Sequence, residues 1–120
     1  MHKSFKEMPV WQLVMEVSEK IFYLTKDLPR NEDYGLTSQI RRSALSISAN
    51  IAEGFGRNSI GEKMQFYSIS RGSLLETMNH LEYGIRVSYF SCNQVTEIEK
   101  LLARIHKEIN TILKTFKSQI

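Results

Sequence analysis

One cysteine, Cys92, is the only thiol in a chain of 120 residues. No disulfide can close within the chain, and a reducing cytoplasm is the simpler compartment. Proline is almost as scarce. Only Pro9 and Pro29 interrupt the sequence, so long stretches are free to stay helical. No segment approaches the ~18 consecutive apolar residues of a membrane span. The opening MHKSFKEMPVW has lysines but no unbroken apolar core and no small-residue cleavage site, so no signal peptide is expected. His2, His80 and His106 lie far apart, and no HExxH or Cys–His spacing links them, so no metal site is expected. A Walker loop is missing. Gly54-Phe55-Gly56 falls at a helix–helix corner, not after a strand, and Ser38, Ser43, Ser46 and Ser48 sit in no nucleophile elbow. Cys92 has no evident base beside it. No enzymatic activity and no cofactor are expected.

What remains is an ordinary globular composition: 42% hydrophobic, 24% charged, net charge +3 and pI about 9.1. The length suits one domain, residues 1–120, with a single core. The mild basicity fits an anionic partner without demanding one.

The apolar residues repeat with the period of a helix four times. Val10, Val14, Val17, Ile21, Leu24 and Leu28 form a seam entered at Pro9, a good first-turn residue, and stopped by Pro29. The loop RNEDYGL follows, with Thr37 as the expected cap of a second helix. That helix carries Ile40, Ala44, Ile47, Ile51 and Phe55 on one face, with Ala44, Ser48 and Ala52 as a row of small residues beside it. Ser59 and Glu62 have the spacing of a capping box for a third helix, whose seam is Leu74, Met78, Leu81 and Ile85. Gly72 and Gly84 lie inside it. Each costs roughly 1 kcal/mol against alanine, so close approach of another helix is the expected reason, with Gly72 meeting the small row. A break at Gly84 competes with that. Ser91 or Asn93 caps the fourth helix, with seam Ile98, Leu102, Ile105, Ile109, Ile112 and Phe116. Helices over about 9–28, 37–54, 60–89 and 94–117, joined by short connections, predict an all-α, antiparallel up-down-up-down four-helix bundle.

Two polar sets stand out. On the second helix Arg42, Asn50, Glu53 and Arg57 share a strip that Arg71, Ser73, Glu76 or His80 could join. Such a mixture binds a small phosphorylated ligand, fixes helix register as a mutually paired network, or is a solvated face; the structural readings are preferred. On the fourth helix Lys100, Arg104, Lys107 and Lys114 occupy one sector opposite the seam, as on a helix laid along phosphates. Arg41, Arg42, Arg57, Arg104 and Lys107 are the expected nucleic-acid contacts. Phe55, Phe66, Tyr67, Tyr83, Tyr89 and Phe90 could stack on bases, but their helical spacing points to core or subunit contacts.

The run Tyr34-Gly35-Leu36, Gln39-Ile40-Arg41-Arg42-Ser43-Ala44, Ser46-Ile47, Ala49-Asn50-Ile51-Ala52-Glu53-Gly54 and Gly56-Arg57 resembles the bacterial 23S rRNA intervening-sequence proteins. Gly72-Ser73-Leu74, Glu76 and Leu81 extend the likeness, and Phe5, Val10 and Trp11 also fit. The resemblance implies a four-helix bundle assembling as a homopentamer, sometimes labelled a ribosomal protein. A similar fold is that of the accessory variability protein of diversity-generating retroelements, which binds nucleic acid and a reverse transcriptase. It implies that Asn50, Glu53, Gly54, Gly72, Ser73 and Glu76 act as helix–helix and subunit glue, beside Arg42 and Arg57. One departure is Glu76-Thr77-Met78, where relatives often have Glu-Leu-Glu, which halves any acidic pair there. The expected function is a non-enzymatic oligomer binding structured RNA or DNA; the alternative is a protein–protein scaffold, for example for a reverse transcriptase.

Overall fold

The computed structural model describes all 120 residues. Its helices are α1 (Pro9–Thr25), α2 (Leu36–Gly56), α3 (Ile60–Arg86) and α4 (Cys92–Lys117), with single 3₁₀ turns at Phe5–Glu7 and Arg30–Glu32. They form an up-down-up-down bundle of 46 × 23 × 21 Å. α2 packs between α1 and α3, and α4 closes the ring against both α1 and α3. The diagonal pairs, α1 with α3 and α2 with α4, do not pack on each other. Val14, Val17, Ile21, Ile40, Ile47, Ile51, Leu74, Leu81, Leu102, Ile105 and Ile109 are all fully buried at the centre. The periodic seams therefore converge on one core.

The helix ends differ from the sequence expectation where side chains from elsewhere intervene. α1 stops at Thr25, three residues before Leu28. The Thr25 hydroxyl donates to the Ile21 carbonyl at 2.7 Å, and a turn follows in which the Leu28 N–H bonds the Thr25 carbonyl. Thr37 does not cap α2. Its hydroxyl is buried without a partner, and the helix begins one residue earlier, at Leu36. The cap comes from Glu32, whose Oε1 accepts the Leu36 N–H at 3.0 Å while Oε2 accepts the Tyr89 hydroxyl at 2.7 Å. A Cβ on Gly35 would sit 2.5 Å from Glu32 Oε1, so glycine is what lets the carboxylate reach the helix.

That cap is expected to be pH-sensitive. The Leu36 N–H, and then the Tyr89 hydroxyl, hold the Glu32 carboxyl below its ordinary range. Its contribution is present above the unfolded-state value and is lost as pH falls through the folded one. Wild type should thus lose more thermal stability than Glu32→Gln between neutral pH and pH ~3. Equal losses would remove Glu32 from the acid response.

Ser59 caps α3, its Oγ accepting the Glu62 N–H at 3.1 Å. The box does not close: the Glu62 carboxylate contacts the Ser59 hydroxyl instead of the Ser59 N–H. Ser91 caps α4 with a complete box, and Gln94 Oε1 accepts the Ser91 N–H at 2.8 Å. α3 ends at Arg86 rather than Tyr89 and does not break at Gly84. The chain folds back through Ser88, at φ 66°, so that the N–H groups of Tyr89 and Phe90 both reach the Gly84 carbonyl. Phe90, 3% exposed, lies where a Gly84 side chain would be.

Candidate nucleic-acid interface

Of the four packed pairs, α2 and α3 share the most extensive contact, and the reason is a ladder of hydroxyls. The Ser70 hydroxyl donates to the Ile47 carbonyl, Ser73 to Ser46 Oγ and Thr77 to Ser43 Oγ, each at 2.8 Å. Asn50 Nδ2 donates to the Ser46 carbonyl and hydroxyl at 2.8 and 3.0 Å. Small polar side chains bring the backbones close, and each bond contributes about 1 kcal/mol. The residues that make this contact are not the expected row of Ala44, Ser48 and Ala52. Ser43 and Ser46 face α3, and their partners are Ser70, Ser73 and Thr77. Gly72 does not meet α2: it is exposed, and a Cβ there would touch nothing within 4 Å. Gly54 does have a packing reason, with Tyr67 and Phe66 atoms 3.2–3.3 Å from its would-be Cβ.

Outside the ladder lie the charges. Arg42 Nη2 bonds Glu76 Oε2, and His80 Nε2 lies 3.5 Å from that oxygen. Arg57 pairs with Glu53 at 3.1 Å and lies 4.6 Å from the Phe66 ring centre. The two ion pairs sit on either side of the Asn50–Ser46–Ser73 bonds in chain order. The hydroxyls at their centre bond to one another and to backbone. No three His, Cys, Asp or Glu side chains converge where they could hold a metal ion.

The five arginines and lysines singled out from sequence do not form one patch. Arg41 faces α1, with Nε donating to Thr25 Oγ1 at 2.8 Å. Its neighbour Arg42 faces α3. Arg104 and Lys107 lie on α4, which does not pack on α2. There they line a groove of about 660 Å³ with His2, Met8, Pro9 and Ile112. Arg104 pairs loosely with Glu108 at 3.5 Å, whereas Lys107 has no acidic partner among the salt bridges. Lys100 and Lys114 are exposed on the same helix. Lys100, Lys107 and Lys114 recur every seven residues, a row with ~10 Å between charges.

Among the aromatics considered for stacking, Tyr67 and Phe90 are buried and Phe55, Phe66 and Tyr89 half-buried, leaving only Tyr83 exposed. Burial pushes the Tyr67 phenol up. The Glu32 hydrogen bond is the main cause raising Tyr89.

The protein-family comparison matches residues 6–111 to the 23S rRNA-intervening sequence protein family. The chain belongs to that family. The matched span takes in α1, α2, α3 and most of α4, so the hydroxyl ladder falls inside the family region, as do Arg104 and Lys107, while His2 and Ile112 of their groove lie just outside it. A crystal structure of a protein of unknown function from the S23 ribosomal protein family, from Bacteroides thetaiotaomicron, is similar to this chain. It shares 29% identity and a TM-score of 0.81, over 88% of this chain and 98% of that one. No curated protein matches. The likeness to the retroelement accessory protein is not among these findings.

The sequence carried a signal for Ser70 and Thr77, which flank Ser73 at helical spacing; it was hidden because serine and threonine do not register in an apolar seam. No local signal marked His2, Met8 or Pro9 as neighbours of Arg104, because only the return of α4 past the start of α1 brings them together.

Proposed function

We propose that this family member is a non-enzymatic, homo-oligomeric bundle of the cytoplasm that binds structured RNA or DNA through cationic surfaces repeated by assembly. The observation that carries the reading is the exposed cation row of α4, Lys100, Lys107 and Lys114 with Arg104 beside it. Phosphates attract such a row by counterion release. The family's description concerns an intervening sequence of 23S rRNA, which makes structured RNA the first ligand to try. A net charge of +3 per chain is modest, but five copies at +3 would sum to +15, and summed fields govern long-range attraction. Binding of a labelled RNA hairpin and a DNA duplex across a salt series tests this. Affinity should fall steeply with salt; no binding at low salt would end the reading.

Assembly is supported by Gly72. A mid-helix glycine facing open space has no use within the chain, yet it leaves room for another backbone outside it. Leu45, Ile69 and Leu75, on the same two helices, are each about half exposed. Gly72→Leu adds a side chain whose Cβ meets nothing in the protomer, and replacing the helical glycine stabilises the helix by up to about 1 kcal/mol. The variant should keep its helical circular dichroism and lose assembly mass by light scattering. Unchanged mass would take this face out of the assembly. A protein adaptor role, for example for a reverse transcriptase, is the competing reading, and the same exposed leucines and isoleucine would serve it. It predicts a captured protein partner and weak binding to bare RNA.

A further inference from the structure

The end of α1 presents two aromatic rings to solvent at successive positions. Phe22 is 45% and Tyr23 67% exposed. Their centres are 5.3 Å apart and their planes 87° from each other. Two cations flank them. The Arg41 guanidinium lies 4.7 Å from the Phe22 ring centre, reaching across from α2. It is held there by Nε on the Thr25 hydroxyl and by Nη2 donating to the Phe22 carbonyl at 3.3 Å. Lys26 Nζ lies 5.9 Å from the Tyr23 ring centre. No carboxylate pairs with Arg41 or Lys26.

We propose that Phe22 and Tyr23, flanked by Arg41 and Lys26, form a stacking platform for unpaired bases of a single-stranded nucleic acid segment. This rests on the nucleic-acid reading above and narrows its ligand. Base–ring stacking needs an open base face, which a duplex hides within its own stack. Arg41 covers one face of Phe22, so the more exposed Tyr23 ring is the main stacking surface and Phe22 supports it edge-on. Phosphates of that strand meet Arg41 and Lys26. On the other flank of Tyr23, Glu16, Glu19 and Glu97 line the α1–α4 groove with Lys20 between them. That flank repels phosphate, so the strand runs over Phe22 toward α2.

The test uses a single-stranded oligouridine of about 12 nucleotides, within the range of known single-strand site sizes, and a duplex of the same length. Both are titrated at one low salt concentration into the intact protein and into the Phe22→Ala/Tyr23→Ala variant. The substitutions are on the surface, and a thermal melt checks that the fold survives. Single-strand affinity should fall roughly 10–100-fold, as expected for lost base–aromatic stacking, while duplex affinity stays within about twofold. Tyr23→Phe should retain single-strand binding. Equal single-strand affinities in wild type and the double variant overturn the platform and leave the rings as a protein contact. Duplex binding with no single-strand binding also overturns the platform but spares the broader reading. If wild type binds neither ligand, both fail.

Discussion

Gly84→Leu is expected to destabilise the fold by about 3 kcal/mol, the scale of overpacking combined with the lost burial of one aromatic side chain. A Cβ at this position would lie 2.3 Å from Phe90 Cε2 and 2.4 Å from Cδ2, closer than real side-chain atoms come. Phe90 cannot swing aside cheaply, because it belongs to the buried core cluster and its own N–H is tied to the Gly84 carbonyl at 3.2 Å. The ring must leave, and the turn that joins α3 to α4 loses its anchor. Urea unfolding would measure the loss. A double-mutant cycle locates it: with Phe90→Ala already in place, Gly84→Ala should cost nothing, and the two changes should couple strongly. Additive effects would show that Phe90 is not what the glycine accommodates. Gly72→Leu, in the same helix, carries the opposite sign for the protomer, since its surroundings are empty. Sequence cannot separate these two glycines; only their neighbours do.

The second large effect concerns binding. Arg104→Glu combined with Lys107→Glu is expected to weaken structured-RNA binding by ~10–100-fold at low salt and to reduce the slope of log affinity against log salt by about 2. Both cations line the groove beside the start of α1, where Glu108 is the carboxylate. Reversing them leaves Glu108 with two further negative charges, and His2 as the only other basic side chain of that lining. Both positions are exposed, and a like-charge i,i+4 pair at 104 and 108 costs the helix only a few tenths of a kcal/mol. The melting temperature should therefore barely move, which separates a binding defect from a folding one. Unchanged affinity and slope would move the site off α4.

Much of the fold was legible because its determinants are local. Pro9 opens α1 as its position suggests, Ser59 and Ser91 cap α3 and α4, and the seam residues named on every helix are buried or packed against the core. The errors came at helix ends, where a side chain other than the expected one did the work. Thr37 has the right chemistry and position for a cap, yet Glu32, tethered by Tyr89 from the turn after α3, took that role. Leu24 and Leu28 keep the seam of α1 and pack against the core, but the helix stops at Thr25, whose buried hydroxyl is bonded back to Ile21 and forward to Arg41. The candidate site was less legible still. Arg41 and Arg42 are chain neighbours, and helical geometry turns them ~100° apart. One joins Phe22 on α1 and the other Glu76 on α3.

The sequence by itself determined four helices, their core faces, most of their starts and their antiparallel order. Helical period, capping chemistry and short connections act over a few residues and need no knowledge of what lies opposite. Membership in the family also follows from the linear pattern around Asn50-Ile51-Ala52-Glu53-Gly54. Only the tertiary structure decided which hydroxyls meet between α2 and α3, why Gly84 is closed and Gly72 open, and which cations remain free of carboxylates. Each of these depends on side chains brought together from tens of residues away. The physical reason is that hydrogen bonds, close packing and ion pairing are decided over a few ångströms of space, whatever the separation along the chain.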